Sequence, residues 1–174
     1  MRILIFGGTN FLGRHTAAAA LERGHEVTLF HRGQTNPGLF PAAEEILGDR
    51  EHDLDRLAGR EWDAVIDVPG YVPRIVGASA RALAPRAPHY TFISTISVYA
   101  DLPRPGMDES AATAVLPEAD SEEVTKYYGE LKALCEREVE EAFPDGALII
   151  RPGLIVGPHD PTDRFTYWPV RIAE

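Results

Sequence analysis

Short apolar runs rich in β-branched and aromatic residues recur along this chain at residues 3–6, 27–30, 64–66, 90–93 and 147–150, with a shorter candidate at 45–47. Helical or turn-forming stretches separate them. A strand that is apolar on nearly every residue cannot leave one face in water, so both faces must be covered. Parallel strands joined by right-handed helical crossovers provide that cover. The alternation therefore predicts an α/β domain built on a doubly wound parallel sheet. The first crossover is an Ala-rich helix over residues 11–23, with Gly24 in the left-handed position that ends it. Shorter helices are expected over 50–58 and 71–84. The longest is expected over 121–142, opened by a capping box at Asp120-Ser121-Glu122-Glu123 and stopped by Phe143-Pro144-Asp145-Gly146. Residues 100–119 read as an acidic, Pro-containing loop, either functional or disordered.

A length of 174 residues corresponds to about 1.2 domains, and with 44% hydrophobic residues it can bury one complete core. No apolar run reaches the roughly 18 residues of a membrane span, and Met1-Arg2-Ile3 opens directly into a strand, which points to a cytoplasmic protein with no membrane partner. The excess of 27 acidic over 17 basic residues gives a net charge of −10, so no nucleic-acid partner is expected. The single Cys135 cannot form an internal disulfide, and the six scattered histidines form no HxxxH or HExxH spacing, so no metal is assigned.

The first strand runs into Gly7-Gly8-Thr9-Asn10-Phe11-Leu12-Gly13. A glycine-rich turn between a strand and a helix offers backbone N–H groups and the positive end of the helix dipole to a pyrophosphate. Gly7 suits the tight bend and Gly13 the close packing of helix on sheet. Asn10 stands where a GxxGxxG pattern has its middle glycine, and asparagine tolerates the left-handed conformation. The second strand ends Phe30-His31-Arg32-Gly33 with no carboxylate for a ribose diol. Arg32 therefore either meets a 2′-phosphate, which favours NADP(H) slightly over NAD(H), or is a solvated surface residue. Asp49 either contacts the adenine edge or caps the helix that follows it.

Tyr128 and Lys132 lie four apart on the longest helix and so share a face. A phenol titrates near about 10, and an adjacent ammonium favours the phenolate, so the pair suits proton transfer. Tyr127 has Leu131 at the same offset and no such partner. The fifth strand ends Phe92-Ile93-Ser94-Thr95, and ligands of open α/β sheets bind beyond the carboxyl ends of the strands, so Ser94 or Thr95 can hydrogen-bond a substrate oxygen beside the tyrosine.

With these segments in order, the sequence resembles the extended short-chain dehydrogenase/reductase family, the NAD(P)-dependent epimerases and dehydratases, in an atypical branch. The turn from Gly7 to Gly13 is similar to its GxxGxxG. The segment Phe92-Ile93-Ser94-Thr95-Ile96-Ser97-Val98-Tyr99 is similar to the fifth-strand segment that carries a catalytic hydroxyl. Tyr128 and Lys132 match YxxxK, and Arg151-Pro152-Gly153-Leu154-Ile155-Val156-Gly157-Pro158 matches RPxxxxGP.

The resemblance implies a Rossmann fold in which Thr95 orients a substrate oxygen, Tyr128 exchanges its proton, and Lys132 tunes Tyr128 and holds the nicotinamide ribose. The substrate implied is a small molecule such as a sugar nucleotide. The cofactor would be held by Gly7, Asn10, Phe11, Leu12 and Gly13 on the turn, by Arg32, Asp49 and Arg50 after the second and third strands, by Val68 and Pro69 after the fourth, and by Ser94, Tyr128, Lys132 and Pro152. It also implies a homodimer through the helix of residues 121–142. Residues 1–158 correspond to the cofactor-binding domain and 159–174 to the start of a cut-short substrate-binding region, so the substrate domain is expected to be largely absent. Asp67-Val68-Pro69-Gly70-Tyr71 departs from the small-residue pattern usual after the fourth strand. Two other classes are a dinucleotide-binding module without catalysis and an RNA-binding relative.

Overall fold

The computed structural model describes residues 1–101 and 104–173. Residues 102–103 of the expected acidic loop, and Glu174 at the end of the expected second region, lie outside it. Six strands, β1 (Arg2–Phe6), β2 (Glu26–His31), β3 (Glu44–Leu47), β4 (Ala64–Asp67), β5 (Tyr90–Ile93) and β6 (Ala147–Ile150), form one parallel sheet in the order β3-β2-β1-β4-β5-β6. This is the Rossmann-type, doubly wound sheet that the apolar runs predict. Winding reverses between β1 and β4, and the crevice that opens at such a reversal is where this fold binds ligands.

Helices cover both faces. Ala17 and Ala20 of α1 (Phe11–Glu22) pack on Ile3, Ile5, Val27 and Leu29. On the other face, Val76, Ala80 and Leu83 of α2 (Pro73–Leu83) join Cys135 and Val139 of α3 (Tyr128–Ala142) over Leu4, Phe6, Val65 and Phe92. Burying an aliphatic or aromatic side chain of this size contributes about 1.5–3 kcal/mol. Gly24 takes φ +74° and donates its N–H to Leu21 O, ending α1 as expected.

Two helices differ from their expected limits. The stretch over 50–58 is a single 3-10 turn at Leu54–Leu57, because Asp53 Oδ2 is tied back to Asp49 N–H at 2.8 Å and Gly59, at φ +74°, ends it. The longest helix begins at Tyr128, seven residues late. Its expected capping box does not form: Glu122 is held by Arg74 of α2, and Ser121 Oγ accepts only the Glu123 N–H, at 3.4 Å. One turn closes on Glu123 O and breaks at Tyr127, whose hydroxyl donates to Glu118.

The acidic loop is tied at its start to residues 112–114 by a Tyr99–Thr113 bridge and by hydrogen bonds that pair Ala100 with Ala112 and Ala114 with Val98. Beyond β6 the chain crosses back toward α1, where His15 Nε2 bonds Pro158 O at 2.9 Å, and ends in α4 (Tyr167–Ala173), which is exposed along its length. No helix among the described residues is long and apolar enough to cross a membrane. Nor do three or more His, Cys, Asp or Glu side chains gather there where a metal ion could be held.

Candidate functional site

A cleft of about 970 Å³ lies along the carboxyl ends of the strands and runs from the Gly7–Gly13 turn to Tyr128 and Lys132. At its first end the turn presses directly on the helix behind it: a Cβ on Gly13 would lie 2.7 Å from Gly8 N. Gly7 and Gly8 take φ +87° and +96°. The left-handed residue beyond them is Phe11, at φ +31°, whereas Asn10 is extended at φ −128°; the conformational argument for Asn10 therefore belongs to its neighbour. No side chain caps α1 and no acidic residue lies in its first turn, so its leading N–H groups are open to an anion. Leu12 lines the same wall. A pyrophosphate fits this cradle.

Arg32 is exposed at the rim and has no ion-pair partner among the described residues. His31 Nδ1 accepts the Gly33 N–H at 3.0 Å and so shapes the turn that carries it. Asp49 and Arg50 also line the cleft but are engaged elsewhere. Asp49 Oδ1 accepts the Glu51 N–H, which closes a local turn; the 3-10 turn that follows begins at Leu54 with Asp53 at its N-cap, so Asp49 does not cap it. Arg50 forms two 2.8 Å bonds to fully buried Asp67, which also accepts the Tyr90 hydroxyl, and its guanidinium lies 4.6 Å over the Phe6 ring. These bonds tie the turn after β3 to β4 while Arg50 lines the cleft. Val68 and Pro69 line the wall opposite the glycine turn, with Pro69 packed against Gly7.

At the other end Thr95, Tyr128 and Lys132 reach one cleft from β5 and α3. A Cβ on Gly129 would lie 2.1 Å from Ser97 O, so only glycine lets the start of α3 rest on the turn after β5. Thr95 Oγ1 accepts the Ser97 N–H at 3.1 Å and donates to Ser97 Oγ at 3.2 Å. Tyr128 is 37% exposed, and its hydroxyl has no hydrogen-bond partner among the described residues. Tyr127 is buried. Lys132 is 1% exposed, donates to Gly70 O at 2.7 Å and to Ile93 O at 2.5 Å, and stands 4.1 Å over the Phe92 ring. Burial pushes its proton affinity down to about 8, partly opposed by Asp67, Cys135 and Glu136. An ammonium has three N–H donors, so one remains for a ligand.

Ser94 lines the same cleft with its hydroxyl already engaged. Its hydroxyl donates to Glu136, a carboxylate also gripped by Arg151 at 2.7 and 3.0 Å, and Arg151 reaches on to Glu109 O and the Tyr99 hydroxyl. Both hydroxyls at the end of β5 line the cleft, but that of Ser94 is engaged by Glu136, whereas that of Thr95 is bonded only within its own turn, to Ser97. Pro152 lines the cleft and accepts the Ile96 N–H. Sequence reading missed Gly8 and Tyr71. The first was signalled by its place beside Gly7, the second only by the departure it makes after β4.

Residues 3–78 match the model of the NAD dependent epimerase/dehydratase family. The chloroplast stem-loop binding protein of 41 kDa b from Arabidopsis thaliana is 29% identical over 119 residues, covering 56% of this chain and 30% of that protein. The fold is shared with WbmH from Bordetella bronchiseptica in complex with NAD+ (TM-score 0.76, 16% identity, 99% of this chain and 62% of the other). It is also shared with dTDP-glucose 4,6-dehydratase from Bacillus anthracis in complex with NAD (0.72, 15%, 99% and 61%) and with a UDP-galactose 4-epimerase (0.67, 23%, 91% and 58%). The chain spans about three fifths of the length of these solved relatives and under a third of the plant protein.

Proposed function

From its place in the NAD dependent epimerase/dehydratase family, carried by residues 3–78, we propose that this chain is the cofactor-binding portion of an oxidoreductase-type enzyme. The enzyme is an epimerase, dehydratase or reductase acting at a hydroxyl or carbonyl carbon of a sugar nucleotide or related small molecule. The observation that carries this reading is a solvent-reachable phenol with no hydrogen-bond partner among the described residues, at the far end of the same cleft as a glycine-lined helix start that no described side chain caps. The residues fit a dinucleotide, with Gly7, Gly13 and the N–H groups opening α1 on the pyrophosphate, Val68, Pro69 and Pro152 along the cleft, and the third N–H of Lys132 on a ribose hydroxyl. Such a cofactor, when bound, supplies or accepts hydride. Tyr128 takes the proton from a substrate hydroxyl or returns it to a carbonyl oxygen. Thr95 turns its hydrogen from the 3.2 Å contact with Ser97 onto that oxygen. Lys132 steadies the phenolate by its charge, and residues 159–174 begin the substrate-side wall.

NADP(H) over NAD(H) is the finer part of this reading, supported by Arg32, which has no ion-pair partner among the described residues, and by a sequence after β2 that offers no carboxylate. One comparative experiment tests both parts. NADH and NADPH are titrated by fluorescence into wild type, Tyr128→Phe and Arg32→Ala, and the full protein is assayed on UDP- and dTDP-hexoses. Tyr128→Phe should bind dinucleotide normally and lose at least about 100-fold in turnover. Arg32→Ala should weaken NADPH about tenfold and spare NADH. Wild-type turnover in Tyr128→Phe removes the phenol from the mechanism, and dinucleotide binding with no turnover of any substrate favours a non-catalytic module. A second reading, binding of a nucleic-acid stem-loop, is favoured by the name of the Arabidopsis relative and opposed by the net charge of −10.

A further inference from the structure

The segment after β4, Asp67-Val68-Pro69-Gly70-Tyr71, is built around Lys132. A Cβ on Gly70 would lie 2.5 Å from Phe92 Cε2 and 2.9 Å from Val76 Cγ2, so the backbone packs down onto the sheet, and the Gly70 carbonyl accepts from Lys132 Nζ at 2.7 Å. The next residue, Tyr71, is half-exposed on the cleft and sets its ring 5.4 Å from the same nitrogen and 6.4 Å from the Tyr128 ring. Lys132 therefore holds the turn, and the turn's tyrosine stands over Lys132. We propose that Tyr71 is a positioning residue, whose ring is the cleft-side cover that keeps water off the Lys132 ammonium beside Tyr128.

Two effects of the ring oppose one another. An aromatic face attracts a cation, whereas excluding water disfavours the charge. The Phe92 ring, at 4.1 Å, already supplies the nearer cation–π contact, so what Tyr71 adds is chiefly dryness. The charged and titratable groups facing Lys132 are Cys135 and Glu136 of its own helix α3, Asp67 of β4, and Arg50 of the turn after β3. Asp67 is paired with Arg50 and Tyr90, and Glu136 with Arg151 and Ser94, so replacing Tyr71 leaves their fields in place. Tyr71 itself is kept a neutral phenol by its own burial and by Tyr128 and Asp67, so it does not compete as the base. The catalytic consequence rests on the oxidoreductase reading: with the cover in place, Lys132 gives up its proton nearer to neutral pH, one helical turn from Tyr128.

The chain has only two lysines, Lys126 and Lys132, which makes the test direct. With 13C-labelled lysine, the two ε-methylene signals are followed by NMR from about pH 6 to about 11 in wild type, Tyr71→Phe, Tyr71→Ala and Tyr71→Ser. The exposed Lys126 is the internal reference, and a folded spectrum from either small variant suffices. Lys132 should titrate near 8 in wild type and in Tyr71→Phe. In the small variants its midpoint should rise by at least about one unit toward the ordinary 10.5, with Lys126 unmoved. An unmoved Lys132 midpoint in a folded small variant, or a wild-type Lys132 that titrates together with Lys126, overturns the proposal. NADH titration on the same samples separates the two readings, because a wild type that binds no dinucleotide defeats the oxidoreductase assignment and leaves the lysine result standing.

Discussion

An ammonium taken out of water gives up its proton more readily, and Lys132 is such a group, lowered from 10.5 to about 8 in the fold. Below pH 8 the native and unfolded chains are both protonated, and the full cost of burying the charge is present. Between pH 8 and 10.5 the unfolded chain binds a proton that the native chain has released, so stability rises with pH. Cys135 works in the opposite sense. Burial pushes its thiol from 9.0 up to about 12, so above pH 9 the native chain keeps a proton the unfolded one has lost. Urea unfolding at pH 8 and pH 9 should therefore show a gain of about 1 kcal/mol, and Lys132→Met should abolish it. A flat profile in wild type would contradict the burial of this lysine. At this scale the tyrosine and lysine were legible because an i, i+4 pair shares a helix face wherever the helix lies. The partners of Ser94 and Arg50 were not, since Glu136 is 42 residues from the first and Asp67 is 17 from the second.

At the scale of elements, the site depends on α3 docking on the turn after β5, and the contact that permits it has no room for a methyl group. Gly129→Ala should push the helix start off Ser97 O, cost about 1–3 kcal/mol in urea unfolding, and separate Tyr128 from Thr95. Turnover of the full protein should fall far more than NADH binding, because the phosphate cradle lies on α1; equal losses in both would count against this division. The strands were readable from sequence because each is an almost unbroken apolar run, and burial on both faces leaves little else for such a run to be. The start of α3 was not. A capping box is a local preference worth about 1 kcal/mol, and here Arg74 of α2 claimed Glu122 while Glu118 claimed the Tyr127 hydroxyl.

At the scale of the whole molecule, a net charge of −10 repels a phosphate backbone, and the exposed side of α3 carries Arg137, Glu140 and Glu141. The homodimer implied by the family resemblance would pack through this helix. Sedimentation at low salt, with and without a stem-loop RNA, tests assembly and partner together: the expected result is a dimer with no RNA in the protein boundary. A monomer at all concentrations removes the dimer, and co-sedimenting RNA favours the stem-loop reading. What the sequence determined by itself was periodic or local: the alternation that dictates a doubly wound sheet, the glycine turn after β1, and the spacing of Tyr128 and Lys132. Those signals survive without tertiary contacts because they rest on backbone sterics and on which faces must avoid water. Tertiary structure alone decided which hydroxyl a buried carboxylate engages, which arginine pairs with Asp67, and that Tyr71 lies against Lys132. Each of those outcomes is a competition among partners distant in the chain, and only the folded geometry brings the competitors within reach of one another.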